Sequence, residues 1–431
     1  MTKGFPEKGT VDVLLVTYGG GHVQMVLPVA QELVKRGKRV AVFALTTAIS
    51  ALENTGLRYF SYEDLPQAQT EQAQSAGARL MGNVDPNGPV SPEESRAYHG
   101  VNFLDLEQQL GKEDAQARYD EMGRASFFPK TLMREVLTAM QPAVVVATNS
   151  PRTERAAIEA ARDLKIPALC MVDMFALQEI AWIKHPDFAD TVCVLNPAVR
   201  DMFVTSGRRP ESMVVTGNPA FDLLHAPETL SAGQNMRRER GWGSNGRCVV
   251  LFASTPEASV HPFTGVAGDS TFPQRIETQV RAILAQRTDV DLVLRRHPSE
   301  EQSVETSAFV HHSPRSDDIN ALLHAVDIVI VTVSTVGLQG HLAGRPVITV
   351  SGSIFDSDAP FADFGMATAV HNETELSHVL NQTIKETGSA APFPAGARQS
   401  ATSNVTHEIL SLIDGLPPRL ADRIDNERHR Y

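Results

Sequence analysis

The sequence predicts an α/β protein assembled from two parallel-sheet domains. Three observations point there. Short β-branched and apolar runs, such as residues 328–333, have the composition of strands buried on both faces. These runs alternate with stretches of helical periodicity, as βαβ units require. The alternation then begins afresh at Arg247 after a polar stretch, and 431 residues are long for a single core.

The totals exclude several classes. An apolar share of 42% suits a globular protein, and no apolar run is long enough to cross a bilayer. The opening residues MTKGFPEKGT carry no apolar signal core, so the expectation is a cytoplasmic protein. Cys170, Cys193 and Cys248 are widely spaced in apolar surroundings, which reads as reduced thiols rather than a disulfide framework or zinc site. A net charge of −12 speaks against nucleic acid as a partner, while a local basic patch for peripheral contact with a membrane face stays open.

In chain order, residues 11–16 form the first strand and run into Thr17-Tyr18-Gly19-Gly20-Gly21-His22. A helix follows with Val23, Val26, Leu27, Ala30, Leu33 and Val34 on its apolar face, then a strand over 39–45. Glycines here let the backbone approach a ligand at a helix N-terminus, which favours anions. The spacing is not that of a dinucleotide fingerprint, and residues 39–45 lead to Thr46-Thr47 rather than to an acidic residue, so a nicotinamide dehydrogenase is disfavoured. No phosphate loop of the P-loop type is present. Residues 62–126, rich in Gln, Ala, Pro and Gly before turning helical over 98–123, read as a solvated surface insertion, with a lip over the site as the functional alternative.

Alternation resumes with strands at 143–147, 168–172, 191–195 and 213–216, so Asn149 and Asp173 stand at strand carboxyl ends. Gly217-Asn218-Pro219 closes the first domain. We read 1–224 as the N-terminal domain, 225–246 as a linker, 247–402 as the C-terminal domain and 403–431 as a final helix and charged tail. In the second domain, Ser254-Thr255 follows the strand 247–252, and Arg296-His297 follows the strand 291–294. The strand 328–333 breaks at Ser334-Thr335, passes Val336-Gly337 and enters a helix at 338–343, before another strand at 347–350. Hydroxyls and backbone N–H groups at such an edge suit a phosphate.

Three stretches carry a resemblance. Gly20-Gly21-His22-Val23 with Leu27-Pro28 and residues 33–37 resembles the start of UDP-glycosyltransferases and of the peptidoglycan N-acetylglucosaminyltransferase. Val215-Thr216-Gly217-Asn218-Pro219 with Asp222 is similar to the segment closing the first domain in UDP-GlcNAc 2-epimerases and lipid-A-disaccharide synthase. Residues 327–347 with Arg296-His297-Pro298 look like motifs of capsule transferases and CDP-glycerol glycerophosphotransferases. The resemblance implies the GT-B fold, two Rossmann-like domains facing across a cleft with the C-terminal helix packing back on the first. It implies a metal-independent bacterial glycosyltransferase of polysaccharide biosynthesis, with a UDP- or CMP/CDP-linked nucleotide-sugar as substrate and no cofactor. The acceptor would be a glycan, a lipid-linked molecule or a small molecule of the envelope or capsule type.

On these grounds His22 is the candidate general base, since imidazole titrates near neutral pH, with Asp173 or Asn149 orienting it. The nucleotide and donor would be held by Gly20, Gly21, Ser254, Thr255, Arg296, His297, Ser334, Thr335, Val336, Gly337, Gln339 and Asp358. Gln339-Gly340-His341 stands where a UDP-sugar transferase has Gln-Glu-Glu, so the donor base stays open. Asp356-Ser357-Asp358 matches a D-x-D pattern, but no metal site is read, and His261, His311, His312 and His324 share no ligand spacing. The alternatives are a 2-epimerase-like isomerase, for which no first-domain carboxylates are identified, and a non-catalytic nucleotide-sugar-binding subunit.

Overall fold

The computed structural model describes residues 3–85, 88–261, 264–300, 303–389 and 400–416. The charged tail over 417–431 lies outside them. The chain divides into two compact units, one from the N-terminus to Ala220 together with the C-terminal segment, the other beginning at Phe221.

The first unit holds a seven-stranded sheet of β1 (Val13–Thr17), β2 (Val40–Ala44), β3 (Tyr59–Phe60), β4 (Val144–Thr148), β5 (Ala168–Met171), β6 (Thr191–Val194) and β7 (Met213–Val215). Its order is β3-β2-β1-β4-β5-β6-β7, and its pairs are parallel. Strands β1, β2 and β4 are buried along their whole length, which explains their unbroken apolar composition. The helix Gly21–Lys35 lays Val23, Val26, Val29, Ala30 and Leu33 on one face of that sheet. Val405 and Ile409 of the helix Ala401–Ile413 join the same core, so the C-terminal helix packs back on the first unit as expected.

The second unit holds β8 (Cys248–Ala253), β9 (Val290–Arg295), β10 (Val310–His312), β11 (Ile328–Val331), β12 (Val347–Val350) and β13 (Thr368–Val370). The order is β10-β9-β8-β11-β12-β13, again with parallel pairs. Each sheet reverses its strand order once, between β1 and β4 and between β8 and β11. Open α/β sheets take ligands outside the strand carboxyl ends at such points. The α/β class read from the sequence is therefore the one observed.

Three readings need correction. The 225–246 stretch is no linker: the helix Pro227–Arg240 packs on Ile319–Ala325 within the second unit. Gly233 lies against the Ala321 carbonyl and His324 Cβ there, and Arg237 makes a fork to Asp327 at 2.7 and 2.8 Å. The helix after β11 starts at Thr335 rather than at 338, because the Ser334 hydroxyl accepts from the Val336 N–H and caps it. The 62–126 segment is not a loosely solvated insertion. It forms the helices Glu71–Leu80, Pro92–Leu110 and Lys112–Met122, and buries Tyr62, Tyr98 and Phe103.

The first of these helices escaped the sequence reading because it packs through small residues, Ala73, Ala76 and Gly77, rather than through an apolar stripe. A Cβ added at Gly77 would overlap the Arg96 carbonyl, and one at Gly100 the Ala73 carbonyl. Gly100→Ala should therefore destabilise the protein by about 1–3 kcal/mol through forced separation of the two helices. Thermal unfolding with limited proteolysis of the segment checks this, and an unchanged melting temperature would contradict it.

Candidate functional site

His22 lies at the β1/β4 reversal of the first unit. Gly20 reaches φ 67°, a conformation that favours glycine, and ends the strand-to-helix turn. Gly19 has a steric reason to be glycine, because a Cβ would run into the Thr47 side chain. The turn leaves Gly20 and Gly21 exposed and aims the half-buried His22 along the sheet edge.

Around His22 the structure gathers carboxylates. Glu154, whose side chain is fully buried, accepts the Tyr18 N–H at 2.7 Å and the Ser150 N–H at 2.9 Å. Its Oε2 lies 3.4 Å from His22 Nδ1, which also meets the Thr148 hydroxyl. A buried carboxylate is tolerated here because two N–H donors and an imidazole satisfy it. Asp173 stands at the other ring nitrogen, with Oδ2 3.7 Å from Nε2. Its backbone is held by Asn149, which accepts its N–H at 3.1 Å, and by Asn218, which donates to its carbonyl at 2.6 Å. Asp173 Oδ1 takes the Met174 N–H at 2.7 Å, and no described group donates to Oδ2. Beyond Asp173 the chain turns at Ala176, a non-glycine residue at φ 48°, and brings up Glu179.

The electrostatics follow from this enclosure. Burial alone would lower the His22 pKa, but the Glu154 carboxylate, then Asp173 and Glu179, overcome it and raise it from 6.5 to about 9. Burial, with help from Asp173, raises Glu179 above the usual carboxylate range. These carboxylates hold His22 toward its imidazolium form at neutral pH, the form in which it would bring charge rather than accept a proton. Glu154 and Thr148 hold Nδ1, Asp173 faces Nε2 from a longer distance, and Asn149 holds the Asp173 backbone. Glu154 and Glu179 were missed in the sequence. An acidic residue in a first helical turn is ordinary, and Glu179 carries no motif.

In the second unit, Ser254, Thr255, Arg296, His297, Ser334 and Thr335 all come to the sheet's carboxyl edge, but several are already engaged. Glu300 accepts the Ser254 hydroxyl at 2.9 Å and the His297 N–H at 2.8 Å. Arg296 Nη1 pairs with Glu277 of the helix Phe272–Leu284 at 2.5 Å, its side chain 12% exposed, so it is not an open cation for phosphate. The Gly337 N–H donates to the Ser334 carbonyl at 2.9 Å, and a Cβ there would press on Val331, so this glycine serves helix–strand packing. Gln339 reaches Asn320 at 3.4 Å, and Asp358 pairs with the buried His261 at 2.9 Å. The Thr255 hydroxyl is buried without a partner, while Thr335 and the His297 side chain are exposed. Among the described residues no group of three or more His, Cys, Asp or Glu side chains is arranged to hold a metal ion.

No protein-family model and no curated protein sequence matches the chain. Solved structures do match it along most of its length. UDP-GlcNAc 2-epimerase from Methanocaldococcus jannaschii is 11% identical with a TM-score of 0.55, covering 93% of this chain and 99% of that one. The Neisseria meningitidis UDP-GlcNAc 2-epimerase bound to UDP-GlcNAc is 14% identical with a TM-score of 0.54, covering 92% and 99%. MurG of Acinetobacter baumannii is 15% identical with a TM-score of 0.52, covering 94% and 99%. The chain has the GT-B fold. Within this GT-B chain, His22, Asn149 and Asp173 converge on one sheet edge although 151 residues separate the first from the last, because β1, β4 and β5 are neighbours. No described helix is long and apolar enough to cross a membrane.

Proposed function

We propose that this chain is a nucleotide-sugar enzyme that transfers a glycosyl group to an acceptor hydroxyl, in envelope or capsule polysaccharide assembly. One observation carries the reading: a clamped imidazolium, His22, beside a carboxylate oxygen, Asp173 Oδ2, to which no described group donates. In this reading the acceptor hydroxyl gives its proton to Asp173 Oδ2 as its oxygen bonds to the sugar carbon. The bond from that carbon to the donor's phosphate oxygen breaks, and the nucleotide (UDP or CDP, or CMP from a CMP-linked donor) leaves with the electron pair. His22 contributes fixed positive charge that costs no reorganisation. Donor phosphates are assigned to Thr255, Thr335 and His297, with Ser334, Val336 and Gly337 shaping the helix end from within. The donor is UDP- or CMP/CDP-linked; similar structures bound to UDP-GlcNAc or UDP support the former.

A second reading has its own support. Asp173 and Glu179 beside His22 are the first-unit carboxylates that a 2-epimerase would need to move a proton at a sugar carbon. Turnover of UDP-GlcNAc in D2O separates the two. Transfer leaves the sugar C2 proton in place and releases UDP only when an acceptor is present. Epimerisation puts deuterium at C2 with no acceptor. Thermal shifts with UDP, CMP, CDP, GDP and dTDP identify the nucleotide, because a ligand of the folded state raises the melting temperature. No shift with any of them would overturn the nucleotide-sugar reading.

A further inference from the structure

Arg152 stands two residues before Glu154, as the residue that precedes the helix Thr153–Asp163. Its side chain is half-buried, and its Nε is fully enclosed with no acceptor. It makes no ion pair with any described carboxylate. Both oxygens of its neighbour Glu154 are taken by the Tyr18 and Ser150 N–H groups and by His22. Its side-chain hydrogen bond goes to Tyr18, a neutral phenol, so this half-buried guanidinium has no carboxylate counter-ion among the described residues, and an incoming anion would supply one.

The surroundings are phenols rather than carboxylates. The Arg152 Cζ lies 5.2 Å from the centre of the Tyr18 ring. The Tyr18 hydroxyl is 3.3 Å from Thr153 Oγ1, which is also 2.7 Å from the Tyr62 hydroxyl. Tyr98, from the Pro92–Leu110 helix of the 62–126 segment, packs edge-on to Tyr62 with ring centres 5.2 Å apart. This wall is aromatic, and the cation it holds belongs to the turn that follows β4, the strand whose Thr148 meets His22. Arg152 itself sits at φ −101°, ψ −110°, outside the common backbone regions.

From this arrangement we propose that Arg152 receives an oxyanion, a carboxylate or phosphate carried by the acceptor, and that it selects anionic acceptors over neutral ones. The planar guanidinium binds both groups through paired N–H donors. The proposal rests on the glycosyl-transfer reading for the word acceptor, but the anion site stands on Arg152 and its tyrosine wall. It also explains what the 62–126 segment does for the site: it supplies Tyr62 and Tyr98 behind the cation.

The test uses inorganic phosphate against sodium chloride of equal ionic strength, with UDP present throughout to fill the donor phosphate site. Phosphate near saturation should raise the melting temperature of the full chain by about 2–4 °C. Arg152→Gln should lose that rise, and Arg152→Lys, which keeps charge but not the fork, should retain part of it. An equal rise in Arg152→Gln, or none in the unaltered protein, overturns the proposal. If Arg152→Gln fails to fold, Arg152→Lys carries the comparison through turnover of a hexoside and its matching hexuronide. Its kcat/KM on the hexuronide should then fall about 10-fold relative to the hexoside; an equal fall on both overturns the proposal. A UDP shift lost in Arg152→Gln would assign the guanidinium to the donor diphosphate and overturn the acceptor assignment. A phosphate rise that depends on Arg152, with no UDP shift in the unaltered protein, would uphold the anion site and sink the nucleotide-sugar reading instead.

Discussion

His22→Gln should lower kcat by about 10²–10³-fold while leaving the nucleotide-induced thermal shift in place. Glutamine can still meet the Thr148 hydroxyl, but it cannot carry the charge that Glu154 stabilises. Burial works against that charge; Glu154, Asp173 and Glu179 outweigh it and set the pKa at about 9. If the proposed transfer holds, the rate of the unaltered protein should be flat through neutral pH and fall as pH rises through about 9, where the imidazolium is lost. A rate that instead climbs toward pH 9 would restore His22 as the base and demote Asp173. The same shift has a stability consequence. Because the folded pKa lies above the ordinary 6.5, the contribution is fully present below about pH 6.5 and disappears as pH rises through about 9. It amounts to about 3 kcal/mol. Denaturant midpoints between pH 6 and pH 10 should show that loss in the unaltered protein and not in His22→Gln.

Asp291→Ala should cost the second unit about 3–5 kcal/mol. Asp291 lies on β9 with its side chain fully buried. It pairs with Arg247 Nη2 at 2.5 Å, faces His311 Nε2 at 3.2 Å and accepts the Gly243 N–H at 2.8 Å. It thereby ties the turn before β8 to the sheet. Alanine would leave a guanidinium and a backbone donor without their acceptor inside the unit. Asp291→Asn, which keeps an oxygen, should cost less, about 1–3 kcal/mol. A two-unit chain need not unfold in one step, so the measurement is denaturant unfolding followed separately in each unit. The second unit's transition should move and the first unit's should not. A loss under about 1 kcal/mol would show that the three contacts are replaceable.

The fold was legible in the sequence because burial on both faces makes a strand apolar at every position. The runs at β1, β4, β8 and β11 can hardly be read otherwise. The edge strands β3, β10 and β13, two or three residues each, left no such mark. The helix Glu71–Leu80 was hidden for a related reason: alanine and glycine pack closely without forming an apolar stripe.

The candidate site divides along the same line. Gly20, Gly21, His22, Asp173, Ser254, Thr255, His297, Ser334 and Thr335 could be picked out because position alone, at the carboxyl end of a predicted strand, marks them. What each side chain does there was decided by contacts between segments distant in sequence. Glu154 makes His22 a cation from 132 residues away. Glu277 takes Arg296 out of reach of a phosphate, and His261 takes Asp358. Strand order along the chain is a local, repeated signal, so sequence determined the architecture and the edge on which chemistry sits. Charge state depends on which groups fold within a few ångströms of one another, and only the tertiary structure decided that.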